Sequence, residues 1–410
     1  METYESALEV ITTLQEAGYT AYFAGGWVRD HLLHHPSDDI DIATNASPEI
    51  IQSLFTKTIP VGIQFGIVIV VINDHEFEVA TFRKDLEYQD GRRPSKIEYT
   101  EAEEDAKRRD FTINGLFYDP IEKKLYDFVE GKIDLEKKCI RAIGNPHERI
   151  NEDRLRMIRA IRYATRFSFT IEEKTKEAII AHNKELFPSV AVERIYQEFS
   201  KMHQYNSLRP SLLMLHQYGL LQSIFPELEA ITFEVLEIRL RPLAYFPEKS
   251  FAIAGLFLLF EDLSAEKANQ LSDFLKVSNK ERSFILFFCH GLKFTKESHE
   301  AVDNAHFYAN PFSKACLEII GALHPKEKEA FLQAHLDGQK TLEPHIERIK
   351  SKTPLIGAQD LIEIGIKPGP KMGIFLKEAQ RISVNRDLND KSQVLDELKE
   401  TDLFKESFNL

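Results

Sequence analysis

Strand signals stop near residue 140 of this 410-residue chain, and the helical spacing that replaces them runs to its end. That break limits the fold more than any other feature. An N-terminal α+β domain joined to an all-helical remainder satisfies the order of elements, and a sequence of this length holds two to four domains. In the first part, YESALEVITTLQEAG has helical spacing and stops at Gly18, and YTAYFAGG reads as a strand entering a turn. FGIVIVVIND (65–74) and HEFEVATFR (75–83) read as strands joined by the tight turn Asn73-Asp74, and a shorter pair turns at Asp119-Pro120. Helical segments such as ERIYQEFSKMH and SLLMLHQYGLLQSIF follow, punctuated by Pro, Gly and Asn, with no internal repeat.

Composition narrows the class. The 43% apolar fraction fills real cores, and no run of 18 apolar residues is present to span a membrane. METYESALEVITTLQ lacks the basic-then-apolar layout of a signal peptide. The three cysteines, Cys139, Cys289 and Cys316, form no C-x-x-C pair, so a reducing, cytoplasmic setting is expected, with neither zinc nor disulfides. The histidines show no ligand spacing and read as surface residues, apart from His290, which reads as core in FFCHGL. The net charge of −13 hides a local reversal: residues 141–166 carry seven arginines against three acids. A local patch, not the average, decides whether an anion is handled there.

The chemistry is concentrated in AGGWVRDHLLHHPSDDIDIAT, residues 24 to 44. On a strand, positions i and i+2 face the same way, so Asp39 and Asp41 project together. Two like charges that close require a cation. Carboxylate oxygens with open positions suit Mg²⁺, which shares its ligands with substrate phosphates. Two such ions can activate an attacking hydroxyl and steady a leaving pyrophosphate. Gly25-Gly26 allows close approach of the backbone to a triphosphate because no Cβ intervenes, and Arg29 is placed to neutralise a phosphate. Further along, EDRLRMIRAIRY (152–163) spaces Asp153, Arg156, Arg159 and Arg162 by threes, one stripe on a helix whose other face carries Met157, Ile158 and Ile161. Asp accepts from an exocyclic amine and Arg offers a donor fork, so one such pair can read both cytosine and adenine. Uracil and guanine place a carbonyl where the amine should be.

GGWVRD followed by DDIDIAT resembles the signature of the nucleotidyltransferase superfamily typified by DNA polymerase beta. More narrowly, it resembles the bacterial class II tRNA nucleotidyltransferase and poly(A) polymerase family. FEVATFR matches the strand of the third family carboxylate, which would be Glu78. DGRRP (90–94) matches the flexible loop, EEDAKRRDFTIN (103–114) the segment contacting sugar and phosphates, and SVAVERIYQEFSKM (189–202) the helix after the base-reading one. PLIGAQDLIEIGIKPGPKMG (354–373) resembles a tail element. His34-His35 replaces the usual Gly-Arg or Gly-Lys.

The resemblance implies a polymerase-beta-like mixed-sheet head over 1–140, a helical neck over 141–205, a body over 206–325 and a tail over 326–410. It implies catalysis by Asp39, Asp41 and Glu78, with Asp39 and Asp41 holding Mg²⁺. Gly25, Gly26, Arg29 and Arg109 would meet the triphosphate, Asp153 and Arg156 would read the base, and Arg159 and Arg162 would help hold the nucleotide. Asp110 and Asn114 would orient the ribose or the adjoining helix, and Arg92 and Arg93 read as solvated loop charges. The implied reaction is template-independent addition of C, C and A to tRNA from CTP and ATP, with the helical remainder gripping the acceptor stem and T arm. The acidic composition and the retained flexible loop favour this over a poly(A) polymerase or a CC-only enzyme; A-only addition and a catalytically silent RNA-binding scaffold remain the other readings. Oligomeric state is not readable.

Overall fold

The computed structural model describes residues 2–35, 37–88 and 94–408. Arg92 and Arg93 lie outside the described residues. By packing, the protein forms two compact units, Met1–Glu237 and Ile238–Leu410.

The first unit opens with α1 (Glu2–Glu16), β1 (Ala21–Ala24), α2 (Gly26–Leu32), β2 (Asp41–Thr44) and α3 (Pro48–Leu54). Then come β3 (Thr58–Ile59), β4 (Ile67–Ile72), β5 (His75–Thr81), β6 (Arg83–Tyr88), β7 (Pro94–Tyr99) and α4 (Ala102–Lys107). β8 (Leu116–Asp119), β9 (Lys124–Asp127) and α5 (Gly131–Glu136) complete the mixed region. Seven strands form one sheet in the order β3-β4-β5-β2-β1-β8-β9, antiparallel except for the β2–β5 pair. The β4–β5 turn falls at Asn73-Asp74, whose φ values of 49° and 61° suit the right-handed twist of a hairpin. The Asp119-Pro120 turn is held by the Asp119 carboxylate, which accepts from the N–H groups of Ile121 and Glu122.

Strand alternation divides the sheet into two faces. Phe23, Ile42, Val68, Val70, Phe77 and Val79 are buried, and α1 adds its apolar stripe of Val10, Ile11 and Leu14. On the opposite side, Ala24 and Ala43 pack with Phe82 and Phe117 against Ala102 and Ala106 of α4. Asp41 shares that side with Ala43, two positions on. Helices follow: α6 (Pro146–Glu152), α7 (Arg156–Phe167), α8 (Glu173–His182), α9 (Val192–Gln204) and α10 (Leu208–Gln217).

One expected element is corrected. The stripe from Asp153 to Arg162 does not lie on one helix: Asp153 adopts φ −151° and ψ 104°, between α6 and α7. Its carboxylate accepts from the Leu155 N–H at 3.0 Å, the local bond by which Asp favours a helix start over a helix interior.

The second unit is helical and filled by aromatic and aliphatic side chains, among them Phe257, Phe284 and Phe288. Toward its end Leu361, Phe375, Ile382, Val394 and Leu398 form a separate cluster. Two histidine readings are corrected here. His290 is exposed, against the rings of Phe287 and Phe294, because its side of the helix faces outward. His345 is buried, its Nε2 2.9 Å from Asp387, which satisfies the imidazole away from water. Among the described residues, no helix is long and apolar enough to cross a membrane.

Candidate active site

A cavity of about 690 Å³ opens in the first unit between the ends of the central strands β1 and β2 and the helices α2, α7 and α9. Its head side is built on the β1–α2 turn and the start of β2. Ala24 pairs with Asp41 across these strands, so Gly25 passes directly beside the Asp41 carboxylate. In the parallel β2–β5 pair Ile42 stands opposite Val79, which puts Asp41 and Glu78 side by side one step earlier. Asp39 precedes β2 and is exposed, since Asp41 is the last residue with a ladder partner on β1; the strand argument therefore places Asp41 alone. Asp39 and Asp41 line the cavity and Glu78 does not.

Asp41 and Glu78 nonetheless sense the acids beside them. Desolvation first, then the charges of Glu78 and Asp39, push the Asp41 carboxyl up to about 6, against the pull of Arg109. Desolvation and Asp39 raise Glu78 as well, opposed by Arg83. Among the described residues, no three His, Cys, Asp or Glu side chains converge on a point.

Arg109 completes this edge. Its Nε and Nη2 reach the Asp105 carboxylate at 3.2 and 3.1 Å, Nη1 donates to the Asn114 carbonyl at 3.3 Å, and the guanidinium lies 4.9 Å from the centre of the Phe117 ring. Gly25 has φ +64°, and a Cβ there would lie 2.8 Å from Arg109 Nη1 and 3.7 Å from Asp41 Oδ2. Its N–H is already given to the Leu116 carbonyl at 3.2 Å. The glycine thus keeps a cation against an acid; Gly26 lies beside it, where a Cβ would stand 3.6 Å from Arg29.

The cavity's interior arginines are already matched to acceptors. Arg29 is 3% exposed, donating to Asp30 at 2.8 Å and to Asn114 Oδ1 at 2.5 Å. Arg159 donates twice to Asp110 Oδ2, at 2.8 and 2.5 Å, and lies 3.1 Å from the Tyr163 hydroxyl. Arg162, buried, pairs with Glu198. Burial alone would raise the Asp110 carboxyl, but Arg159 and Asn114 hold it well below the carboxylate range. Burial likewise opposes ionisation of Tyr163, and Arg159 with Arg162 outweighs it. These groups form a preorganised frame joining α2 and the segment after α4 to α7 and α9.

The remaining two predicted residues stand at the far end. Arg156 donates to the Arg149 carbonyl at 2.6 Å and to Glu152 at 2.5 Å. Asp153 does not pair with Arg156; it is held by Arg194 of α9 at 2.7 Å. Arg194 was not singled out from the sequence, nor were Glu198, Lys201 and Tyr205. Their spacing of four, three and four residues marks one helical face, and that signal was available in ERIYQEFSKMHQY.

An acid pair at the mouth of a mixed sheet, beside a glycine turn and an arginine, with Asp153 before α7 and Arg156 at its start lining the same cavity, is the arrangement of a nucleotidyltransferase. The profile of the poly A polymerase head domain matches residues 21–141, and that described as a probable RNA and SrmB- binding site of polymerase A matches 168–232. Over 380 residues the sequence is 35% identical to the CCA-adding enzyme of Lactobacillus delbrueckii subsp. bulgaricus, covering 92% of the present protein and 93% of that one. With the Enterococcus faecalis CCA-adding enzyme the identity is 33% over 410 residues, covering 96% and 94%. The crystal structure of the Bacillus stearothermophilus CCA-adding enzyme in complex with CTP superposes with a TM-score of 0.82 at 27% identity, covering 100% of both proteins. The chain belongs to the CCA-adding enzyme family.

Proposed function

We propose that this protein adds C, C and A in turn to the 3′ end of tRNA, from CTP and ATP, releasing pyrophosphate at each step. The observation that carries this reading is that one cavity holds both the acid edge at Asp39 and Asp41 and the side chains of Asp153 and Arg156. Asp39 and Asp41 would hold Mg²⁺, since both donate hard oxygens and Asp41 carries a charge its neighbours disfavour. The ion would supply charge neutralisation at the hydroxyl and the phosphates. Glu78 acts on Asp41 from the adjacent strand, raising its carboxyl. Arg109, fixed by Asp105, faces the triphosphate beside Gly25 and Gly26, and Arg29 keeps the Asn114–Asp110 frame in place. Asp153 accepts the exocyclic amine of cytosine or adenine while Arg156 donates to the adjoining ring acceptor. Arg159 and Arg162 brace that wall through Asp110 and Glu198.

Catalysis on this plan is positioning and charge neutralisation, with the RNA hydroxyl displacing pyrophosphate at the α-phosphorus. The neck (141–205), body (206–325) and tail (326–410) would hold the acceptor stem and T arm by phosphate and 2′-hydroxyl contacts, and the chemistry suits the cytoplasm. Incorporation assays test the reading: transcripts ending at the discriminator base, at C and at CC are offered each nucleoside triphosphate singly and together. Growth by C, C and one A is expected. Extension of the CC-ended transcript alone makes the protein an enzyme of A addition only, a long A ladder makes it a poly(A) polymerase, and no incorporation leaves a silent scaffold.

A further inference from the structure

We infer that Tyr205, backed by Arg166 and flanked by Lys201 and Gln204, is the platform on which the terminal base of the RNA substrate stacks; this rests on the function proposed above. Three contacts fix the layout of the cavity wall. Asp153 meets Arg194, Arg162 meets Glu198, and the Arg166 guanidinium lies 3.7 Å from the centre of the Tyr205 ring. Successive residues of one segment meet successive residues of the other, so α7 and α9 run side by side in the same direction. From Arg156 to Arg166 the wall extends about 15 Å at the rise of an α-helix. The base that meets Asp153 and Arg156 at one end therefore cannot also lie on Tyr205 at the other. A second ligand group is needed there.

The chemistry of that end suits a base and its backbone. Tyr205 is 40% exposed and lines the cavity. One face of its ring is covered by Arg166, which is anchored to Asp30 Oδ2 at 3.0 Å; Asp30 is in turn bonded to Arg29. Arg166 thus fixes the ring from one side, and the exposed part of the ring is open to a ligand in the cavity that both residues line. A flat ring of this kind takes any base, since every base has a π-face. Lys201 and Gln204 line the same end, and their side chains have neither ion pair nor hydrogen bond among the described residues, unlike the arginines further in. Lys201 offers an uncommitted cation to a phosphate of the strand, and Gln204 offers an amide to the sugar. The platform is also joined to the acid edge: Arg166 holds Asp30, Asp30 holds Arg29, Arg29 holds Asn114, and the Asn114 carbonyl takes Arg109 Nη1.

The test is steady-state kinetics of the full-length protein on transcripts ending in C, varying RNA and CTP separately. Tyr205→Ala is expected to raise KM for RNA on the order of tenfold, the loss of one stacked base, while KM for CTP is unchanged. Tyr205→Phe is expected to keep the wild-type KM for RNA, because the ring suffices. On a transcript whose terminal nucleotide is an abasic ribose, Tyr205→Ala should add no further defect. A rise in KM for CTP with KM for RNA unchanged assigns the ring to the incoming nucleotide and overturns the inference. An active wild type and an Ala variant with unaltered KM for RNA overturns the inference alone, whereas a wild type that extends no transcript overturns the proposed function and the platform with it.

Discussion

Arg194 grips Asp153 with both terminal nitrogens, Nη1 to Oδ1 at 3.2 Å and Nη2 to Oδ2 at 2.7 Å. Asp153 stands on the short break between α6 and α7, where no regular ladder holds it, and Arg194 reaches it from α9. The fork therefore decides which way the carboxylate turns its remaining lone pairs. Both side chains are mostly buried, with 17% and 15% exposure, so the pair is shielded from solvent screening.

Replacing Arg194 with Met keeps the packing of the stem and removes the fork. In the proposed role, Asp153 then loses its orientation: KM for CTP and ATP should rise about tenfold, and discrimination against UTP and GTP should fall, for a lost charge-assisted bond of roughly 1.5–3 kcal/mol. Incorporation kinetics with all four nucleotides read both effects. Unaltered discrimination would mean that Asp153 needs no second helix to read a base.

Gly25 gives a second expectation. Its φ of +64° disfavours any side chain, and a Cβ would meet Arg109 Nη1 at 2.8 Å. Gly25→Ala should cost about 1–2 kcal/mol of stability and, by displacing Arg109 from Asp41, a larger share of activity. Urea unfolding and incorporation rates measured on the same preparation separate the two. A variant that loses stability and retains full activity would remove Arg109 from the triphosphate role.

The succession of strands and helices along the chain was legible because periodicity is local: the Asn73-Asp74 turn and the helix over Met157, Ile158 and Ile161 each follow from a few adjacent residues. The order of strands within the sheet was not, because it is set by pairing between distant segments. Gly25 and Asp41 were legible as one short motif, and Arg109 as part of a separate segment, RRD. The break at Asp153 was not, because spacing by threes continues through it and only one side-chain bond to Leu155 marks the stop. The pairing of the arginines was hidden for another reason. Arg162 meets Glu198 across 36 positions and Arg166 meets Asp30 across 136, partnerships that only folding creates. An arginine that reads as a free phosphate ligand in sequence can thus be part of a frame, as Arg29 is.

Asp110 tests that frame. It is buried, accepts from Arg159, Asn114 and the Phe111 N–H, and its carboxyl is held below the usual range. A depressed folded value means that the stabilisation is present above the unfolded value of about 4 and is lost as pH falls below it. Asp110→Asn should therefore cost about 3 kcal/mol at neutral pH, the low end for breaking a buried pair because Arg159 is 28% exposed. The gap to wild type should shrink as the pH drops below about 4. Urea denaturation at pH 7 and pH 3 measures it, and a gap independent of pH would mean that the ion pair adds nothing.

Asp41 inverts the usual relation between activity and stability. Its carboxylate is pressed into desolvated space beside Glu78 and Asp39, so its charge destabilises the fold until a cation meets it. Asp41→Asn should lower incorporation by a factor on the order of 10³ or more while leaving tRNA binding intact. In chelator the variant should be more stable than wild type by about 1–2 kcal/mol, as expected for a site built for function at the expense of stability. Adding Mg²⁺ should raise the melting temperature of wild type more than that of the variant, which narrows the gap. Equal responses of both proteins to Mg²⁺ would show that Asp41 does not hold the ion, and the cation would then have to be sought at Asp39 and the substrate phosphates alone.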